Sequence, residues 1–445
     1  MNTPICDFVR RYAQSAPLRL HMPGHKGAGP LGVEHLDITE IPGADSLYDA
    51  DGIIRESEEN ASRLFGARTF YSTEGSSLSI RAMVLLACLH AKARGKAPCI
   101  AAGRNAHRTF LSAAILLDLQ PIWLTAKAQD TYLSCPLTAE DVAAALERAP
   151  VTAVYLTAPD YLGCLPDIAS IARVCREKDV LLLVDNAHGA YLKFLPRSLH
   201  PMDLGADLCC DSAHKTLPVL TGGAYLHISP RHPELAARAR EAMALFGSTS
   251  PSYLILQSLD AANPCLAHRF PRELADFLPH ADALKARLSA AGWQLSGTEP
   301  LKLTLRPCSM GYTGEQLAAL LSGQGIVCEF CDREHIVFML TPGLGTEGLS
   351  RLEAALNSLP RRTPIREEAP AFRLPERAMS IREAALSPCE TVPIDEAEGR
   401  ILAAATVSCP PAVPLAVCGE RLTGEILTHL RRLGHTHVRV VQDHS

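Results

Sequence analysis

The chain has 445 residues, with 43 Lys+Arg against 48 Asp+Glu for a formal charge of −5, and is 47% apolar and 20% charged. At roughly 150 residues per domain that length calls for about three domains, or two with substantial extensions, and excludes a small single-core module. The near-neutral balance gives no electrostatic basis for nucleic acid or an anionic membrane as main partner, and the apolar fraction excludes a disordered scaffold.

The first 14 residues, MNTPICDFVRRYAQ, lack the continuous apolar core of a signal peptide. Residues 1–45 read as an N-terminal arm. From 53 to 65, IIRESEENASRLF has helical periodicity and stops at Gly66, a residue suited to a left-handed C-terminal cap. A strand-like TFYST follows, then a long helix from about Leu78 to Arg94. Short apolar runs come next, separated by helical stretches: APCIAA (97–102), PIWLT (121–125), TAVYLTA (152–158), VLLLVD (180–185) and DLCCDS (207–212). Runs that are apolar throughout are expected of strands covered on both faces, so the sheet of this 46–260 region should be mainly parallel and sandwiched by helices. The expected fold class is α/β. In such sheets ligands bind outside the carboxyl ends of the strands. From 261 to 365, amphipathic helices alternate with strand-like LKLTLRP and HIVFMLTP, which suits a smaller α/β domain. The proline- and charge-rich 361–377 reads as a linker, and 366–445 as a C-terminal module ending in a helix and a strand.

No run approaches the 18 or so apolar residues that span a bilayer, because Asp118, Asp185 and Lys193 interrupt the best candidates. The 15 cysteines, odd in number and scattered through apolar stretches, fit a reducing cytoplasm and read as small buried hydrophobes. Cys328 and Cys331 have C-x-x-C spacing without a second such pair, which argues against structural zinc. Adjacent Cys209 and Cys210 read as packing residues.

The chemistry is expected at the strand ends. After TFYST come Glu74, Gly75, Ser76 and Ser77 at a helix N-terminus, where N–H groups and hydroxyls suit a phosphate, although plain N-caps would explain the serines. Gly103-Arg104-Asn105-Ala106-His107 places an imidazole at another strand end. Asp185-Asn186-Ala187-His188 sets a carboxylate and a small flat side chain on one face of a strand exit. That pairing would let a planar heteroaromatic ring rest on Ala187 while Asp185 reaches a protonated ring nitrogen. Asp211-Ser212-Ala213-His214-Lys215 follows a buried strand, and a lysine in an apolar cleft becomes a nucleophile able to form a Schiff base with an aldehyde. Together these features specify pyridoxal 5′-phosphate.

HMPGHKG (21–27), DITEIPGADSLYDADGII (37–54), TEGSS (73–77), DNAHGAYL (185–192), DSAHKTLPVLTGGAYLH (211–227), STSPSYLILQSLD (248–260) and CPPAVPLAVCGE (409–420) resemble the bacterial ornithine/lysine/arginine decarboxylase family. The resemblance implies an aspartate aminotransferase-like fold (fold type I) and pyridoxal-phosphate-dependent α-decarboxylation of lysine, arginine or ornithine in polyamine metabolism. It implies that Lys215 holds the cofactor, Asp185 pairs with the pyridine nitrogen, His107 stacks on the ring, and Ser76, Ser77, Ser212 and His214 bind phosphate. His188 would lie near the phenolic oxygen and is, with Lys215, a candidate proton donor. Ser248, Thr249 and Ser250 would reach the partner subunit's phosphate in a homodimer. The length matches the short form, without the receiver-like N-terminal domain of longer members.

The chain departs from the family at Asn186, where glutamate is common, at the glycines of TGGAYLH, and at VCGE. Glu40, Asp45, Glu329 and Glu420 are candidate acids for a substrate's distal cation, and His21, His25 and Lys26 for the site entrance. Three rivals remain at this level: an aminotransferase or aldolase/lyase on the same fold, a metal-dependent hydrolase built on His21, His25, His107, His188 and His214, and a non-catalytic relative.

Overall fold

The computed structural model describes residues 1–127, 131–366, 373–404 and 412–442. Of the readings above, residues 367–372 of the linker and 409–411 of CPPAVPLAVCGE lie outside the described residues. The chain divides into two compact units, one of residues 1–98, 152–154 and 168–273, the other of residues 99–151, 155–167 and 274–445.

The larger sheet has strands β1 (Arg68–Ser72), β2 (Ile100–Gly103), β3 (Ile122–Leu124), β4 (Ala153–Thr157), β5 (Leu181–Asp185), β6 (Leu208–Asp211) and β7 (Ala224–Ile228), in the order β1-β7-β6-β5-β4-β2-β3. β5 and β6 pair in parallel, with Asp185 opposite Cys210, as do β2 and β3. β7 runs antiparallel between β1 and β6. All residues of β5, β6 and β7 are buried, as expected of strands covered on both faces.

In the first unit, the helix Ile53–Phe65 buries Ile54, Ala61 and Phe65 and ends at Gly66, whose φ of +67° is the left-handed cap. The helix Gly75–Ala93 starts three residues earlier than the apolar pattern indicates and lies against β1, β5, β6 and β7. Gly75, Ser76 and Ser77 therefore form its first turn rather than preceding it.

The second unit contains a four-stranded sheet of β8 (Gln294–Ser296), β9 (Lys302–Arg306), β10 (Phe330–Cys331) and β11 (Ile336–Met339) in the order β10-β11-β9-β8, antiparallel throughout. It also contains the antiparallel pair β12 (Cys389–Pro393) and β13 (His437–Val441). Leu162, Phe330 and Val337 share one buried apolar cluster with Leu402, Leu415, Leu430 and Val440 of the C-terminal region. Among the described residues no helix is long and apolar enough to cross a membrane.

Candidate active site

The carboxyl end of β1 leads into the helix Gly75–Ala93 through Thr73 and Glu74. Glu74 is the N-cap residue but makes no side-chain cap; its carboxylate instead accepts from the Ser248 N–H at 2.6 Å. The positive end of a 19-residue helix is thus left to groups brought in from elsewhere. Those groups arrive from β6. Ser212 Oγ donates to Ser76 Oγ at 2.9 Å. The ring of His214 lies beside Gly75: a methyl group built on Gly75 would stand 3.9 Å from His214 Cε1. His214 Nδ1 donates to the Gly223 carbonyl at 3.0 Å. Two hydroxyls and an imidazole at a helix N-terminus form a cradle for an anion.

Lys215 stands in the turn that Ser212 opens, its N–H donating to the Ser212 carbonyl at 3.1 Å. Its Nζ lies 2.9 Å from His188 Nε2. His188 is brought there by the exit of β5, where the Gly189 N–H donates to the Asn186 carbonyl at 2.8 Å and turns the chain. Asp185 closes β5 at 2% exposure, and its Oδ1 accepts from the Ala187 N–H at 3.1 Å and from Cys210 Sγ at 3.6 Å. A buried carboxylate, a lysine paired with an imidazole, and an anion cradle therefore converge from the exits of β1, β5 and β6. A primary amine and an imidazole at hydrogen-bond distance can hold and exchange one proton.

His107 belongs to the second unit. It is the N-cap of the helix Arg108–Leu117, with Nδ1 accepting from the Thr109 N–H at 3.2 Å. Ser248, Thr249 and Ser250 are exposed. In the arm, His25 Nε2 meets Asp37 at 3.2 Å and Lys26 Nζ donates to the His21 carbonyl at 2.6 Å, so both side chains have partners within the arm.

Two of the four candidate acids have other employment. The Asp45 carboxylate accepts from the N–H groups of Asp51, Gly52 and Ile54 at 2.9–3.1 Å and so caps the helix Ile53–Phe65. Glu420, 3% exposed, meets Arg104 Nη2 at 3.1 Å and accepts from the Val417 N–H at 2.7 Å. Burial raises the Glu420 pKa and lowers that of Arg104. Neither acid is positioned for a substrate cation, because a carboxylate already saturated by buried donors has little left to offer one. Glu40 accepts from its neighbour Thr39 and Glu329 from Tyr161 OH at 3.5 Å. The five histidines of the metal reading do not assemble. Among the described residues the one group of three close ligand-type side chains is His200, Cys209 and Asp211.

Sequence reasoning missed Arg104 and the surroundings of Asp211. For Arg104 there was a signal: a guanidinium at the end of an all-apolar strand must find a buried partner. Its Nη1 and Nη2 each donate to a carbonyl, of Pro414 and Leu415, at 3.0 Å, in addition to Glu420.

Residues 3–308 match the family model described as Orn/Lys/Arg decarboxylase, major domain, and residues 367–439 the model described as Orn/Lys/Arg decarboxylase, C-terminal domain. The chain is 29% identical to YaaO of Bacillus subtilis (strain 168), covering 97% of this chain and 94% of that protein. It is also 29% identical to the arginine decarboxylase of the same organism, covering 96% of this chain and 93% of that one. The crystal structure of the Francisella novicida lysine decarboxylase LdcF superposes with a TM-score of 0.81 at 17% identity, over 99% of this chain and 81% of that one. The last likeness shows the fold: that of the pyridoxal-phosphate enzymes of fold type I.

Proposed function

The chain belongs to the Orn/Lys/Arg decarboxylase family, and on that premise we propose that it is a pyridoxal-phosphate enzyme. It releases the α-carboxylate of a basic amino acid as CO₂ and leaves the corresponding amine. The observation that carries the reading is the 2.9 Å approach of Lys215 Nζ to His188 Nε2, beside the Ser76–Ser212 cradle and the buried Asp185.

The residues present fit the cofactor group by group. An aldehyde needs a primary amine, which Lys215 offers. A phosphate needs donors, which Ser76, Ser77, Ser212, His214 and the first turn at Gly75 supply. A pyridine nitrogen needs a carboxylate to keep its proton, the part of Asp185, and a flat ring needs a small neighbour, the part of Ala187. By family resemblance His107 would stack on the ring. When bound, pyridoxal phosphate supplies an electron sink for the carbon that loses its carboxylate.

The chain's own residues do the rest. Asp185, already ordered by the Ala187 N–H, sets a fixed negative charge at the strand exit, and preorganised charge acts without reorganisation as the reaction proceeds. Lys215 and His188 share a proton, so that the amine can be held neutral or cationic at Nζ and a proton returned to the reacting carbon. Ser76 and Ser212 fix one end of the site. Thr249 and Ser250, exposed in the single chain, would complete the phosphate site of a second copy in a homodimer. The cysteines, none of them disulfide-bonded among the described residues, support a cytoplasmic setting.

Arginine is the first substrate to test, because relatives matched over nearly their whole length are named arginine decarboxylase. The purified protein is expected to show a visible absorbance band that borohydride abolishes, and to release CO₂ from arginine, lysine or ornithine. A colourless protein that does not take up pyridoxal phosphate would remove the cofactor. A coloured protein inert on all three amino acids would remove the decarboxylase.

A further inference from the structure

Below the lysine and the aspartate lies a second buried carboxylate that the site chemistry above does not use. Asp211, Asn186, His200 and His227 are each 0% exposed. Asp211 Oδ2 accepts from His200 Nε2 at 3.0 Å and from His227 Nε2 at 3.1 Å, while Oδ1 accepts from Asn186 Nδ2 at 2.6 Å. The proton positions follow from the surroundings. The Met202 N–H donates to His200 Nδ1 at 3.3 Å, so that nitrogen carries a lone pair and Nε2 the hydrogen. His227 Nδ1 pairs with Thr69 Oγ1 at 2.9 Å, directly across the β1–β7 pairing. In this tautomer His200 Nε2 has no lone pair for a metal ion, so its grouping with Cys209 and Asp211 is a hydrogen-bond network. Asn186 is likewise fixed in orientation, since the reverse would set its oxygen against a carboxylate.

We propose that Asp211 is a positioning residue for the Lys215–Asp185 site, acting through Asn186 and through its own charge. The link is short on both sides. Asn186 directly follows Asp185 and precedes His188 by two residues, and its N–H donates to the Cys210 carbonyl at 2.9 Å. Asp211 directly precedes Ser212, which bonds Ser76 and whose carbonyl accepts from the Lys215 N–H. The Asn186–Asp211 bond therefore ties together the two strand exits that carry Asp185 and His188 on one side and Ser212, His214 and Lys215 on the other. It is also a charge. Burial alone would raise the Asp211 pKa, but the two imidazoles hold it well below the ordinary carboxylate range. Burial keeps His227 below the usual histidine value despite the pull of Asp211. The ionisable groups around Asp211 are Cys209 and Cys210 on its own strand, His227 and Tyr225 on β7, Asp185 on β5, and His200 and Lys193 from the segment after β5. Of these, Lys193 is occupied by Asp203 at 2.6 Å. The net field of the network at the site is negative, and it favours a proton on the cationic groups there.

This inference rests on the cofactor reading, and the test separates the two. Parent protein, Asp211→Asn and Asn186→Ala are loaded with pyridoxal phosphate, and visible absorbance is recorded against pH and against cofactor concentration. Removing a buried unit charge at the strand exit next to Ser212 is expected to move a titration midpoint by about half a unit to one unit. The midpoint of folded Asp211→Asn is expected to fall by that amount, because the protonated form loses a stabilising anion. Asn186→Ala keeps the charge but cuts the tie, and is expected to weaken cofactor affinity about fivefold or more, the worth of one hydrogen bond. If Asp211→Asn does not fold, Asn186→Ala decides alone. A folded Asp211→Asn with the parent midpoint, or an Asn186→Ala with the parent affinity, overturns the proposal and leaves Asp211 a purely stabilising residue. A parent protein without a visible band overturns the cofactor reading and this inference with it.

Discussion

Lys215 and His188 stand 27 residues apart in sequence, yet Nζ and Nε2 are 2.9 Å apart. The parallel pairing of β5 with β6 makes this possible, because it delivers both strand exits to the same edge of the sheet. A histidine bonded to the reactive amine governs its proton, so His188→Gln should lower kcat by about a hundredfold or more while KM moves little. Steady-state kinetics on the preferred amino acid would check this. A variant in which only KM rises would assign His188 to binding.

The Ser212–Ser76 hydrogen bond makes a prediction about the cofactor rather than the substrate. Loss of one hydroxyl facing an anion should cost a charge-assisted hydrogen bond, so Ser212→Ala is expected to weaken pyridoxal-phosphate affinity about tenfold. Ser76→Ala should behave alike. The double variant should fall short of the product of the two, because the hydroxyls also bond each other. Titration of the visible band measures all three; full additivity would mean that the serines do not act on one ligand.

Arg104 and Glu420 pair at 3.1 Å with side-chain exposures of 0% and 4%. Glu420→Ala leaves a buried guanidinium with its charge unmatched, and the expected loss is about 3 to 5 kcal/mol of stability. Denaturant unfolding of the whole chain is the measurement. A loss below about 1 kcal/mol, the worth of an exposed pair, would contradict the buried arrangement.

Asp207 sets a limit on stability at both ends of the pH scale. His232 Nε2 meets its Oδ1 at 2.9 Å. The hydrogen bond to Asp207 raises the His232 pKa above its ordinary 6.5. A raised histidine stabilises fully below that ordinary value and loses the contribution as pH climbs through the folded one. Burial opposes ionisation of Asp207, but His232, the Leu182 N–H and Arg231 together lower its pKa below 3.8. Its contribution is present above that value and disappears as pH falls through the lowered one. Unfolding free energies of the parent and His232→Asn, compared from about pH 6 to about pH 8, should converge as pH rises, with at most about 1 kcal/mol separating them at the acid end. A constant gap would show that the imidazole contributes no charge.

The large sheet was legible because each of its parallel strands is a short apolar run closed by polar residues. β7 was not set apart as a strand: Ala224–Ile228 lies inside a motif that drew attention for its glycines, and its direction is invisible to composition. Lys215, Asp185 and Ser76 stand out in the sequence because their residue types are unusual where they stand, just past buried strands, and the structure brings Lys215 to His188 and Ser76 to Ser212. His200 and His227 carried no such signal. A histidine on an apolar strand reads as core, and only the pairing of β7 with β1 and β6 brings His227 between Thr69 and Asp211. Asp45 and Glu420 misled for the converse reason. A sequence shows a carboxylate but not the N–H groups or the guanidinium that already claim it.

The central claim is that Lys215 carries the cofactor. The direct measurement is borohydride reduction of the protein loaded with pyridoxal phosphate, followed by proteolysis and mass spectrometry of the lysine peptides. The account predicts a phosphopyridoxyl group on the peptide that contains Lys215, and its loss in Lys215→Ala. An unmodified Lys215 peptide, or the group on a different lysine, would contradict it.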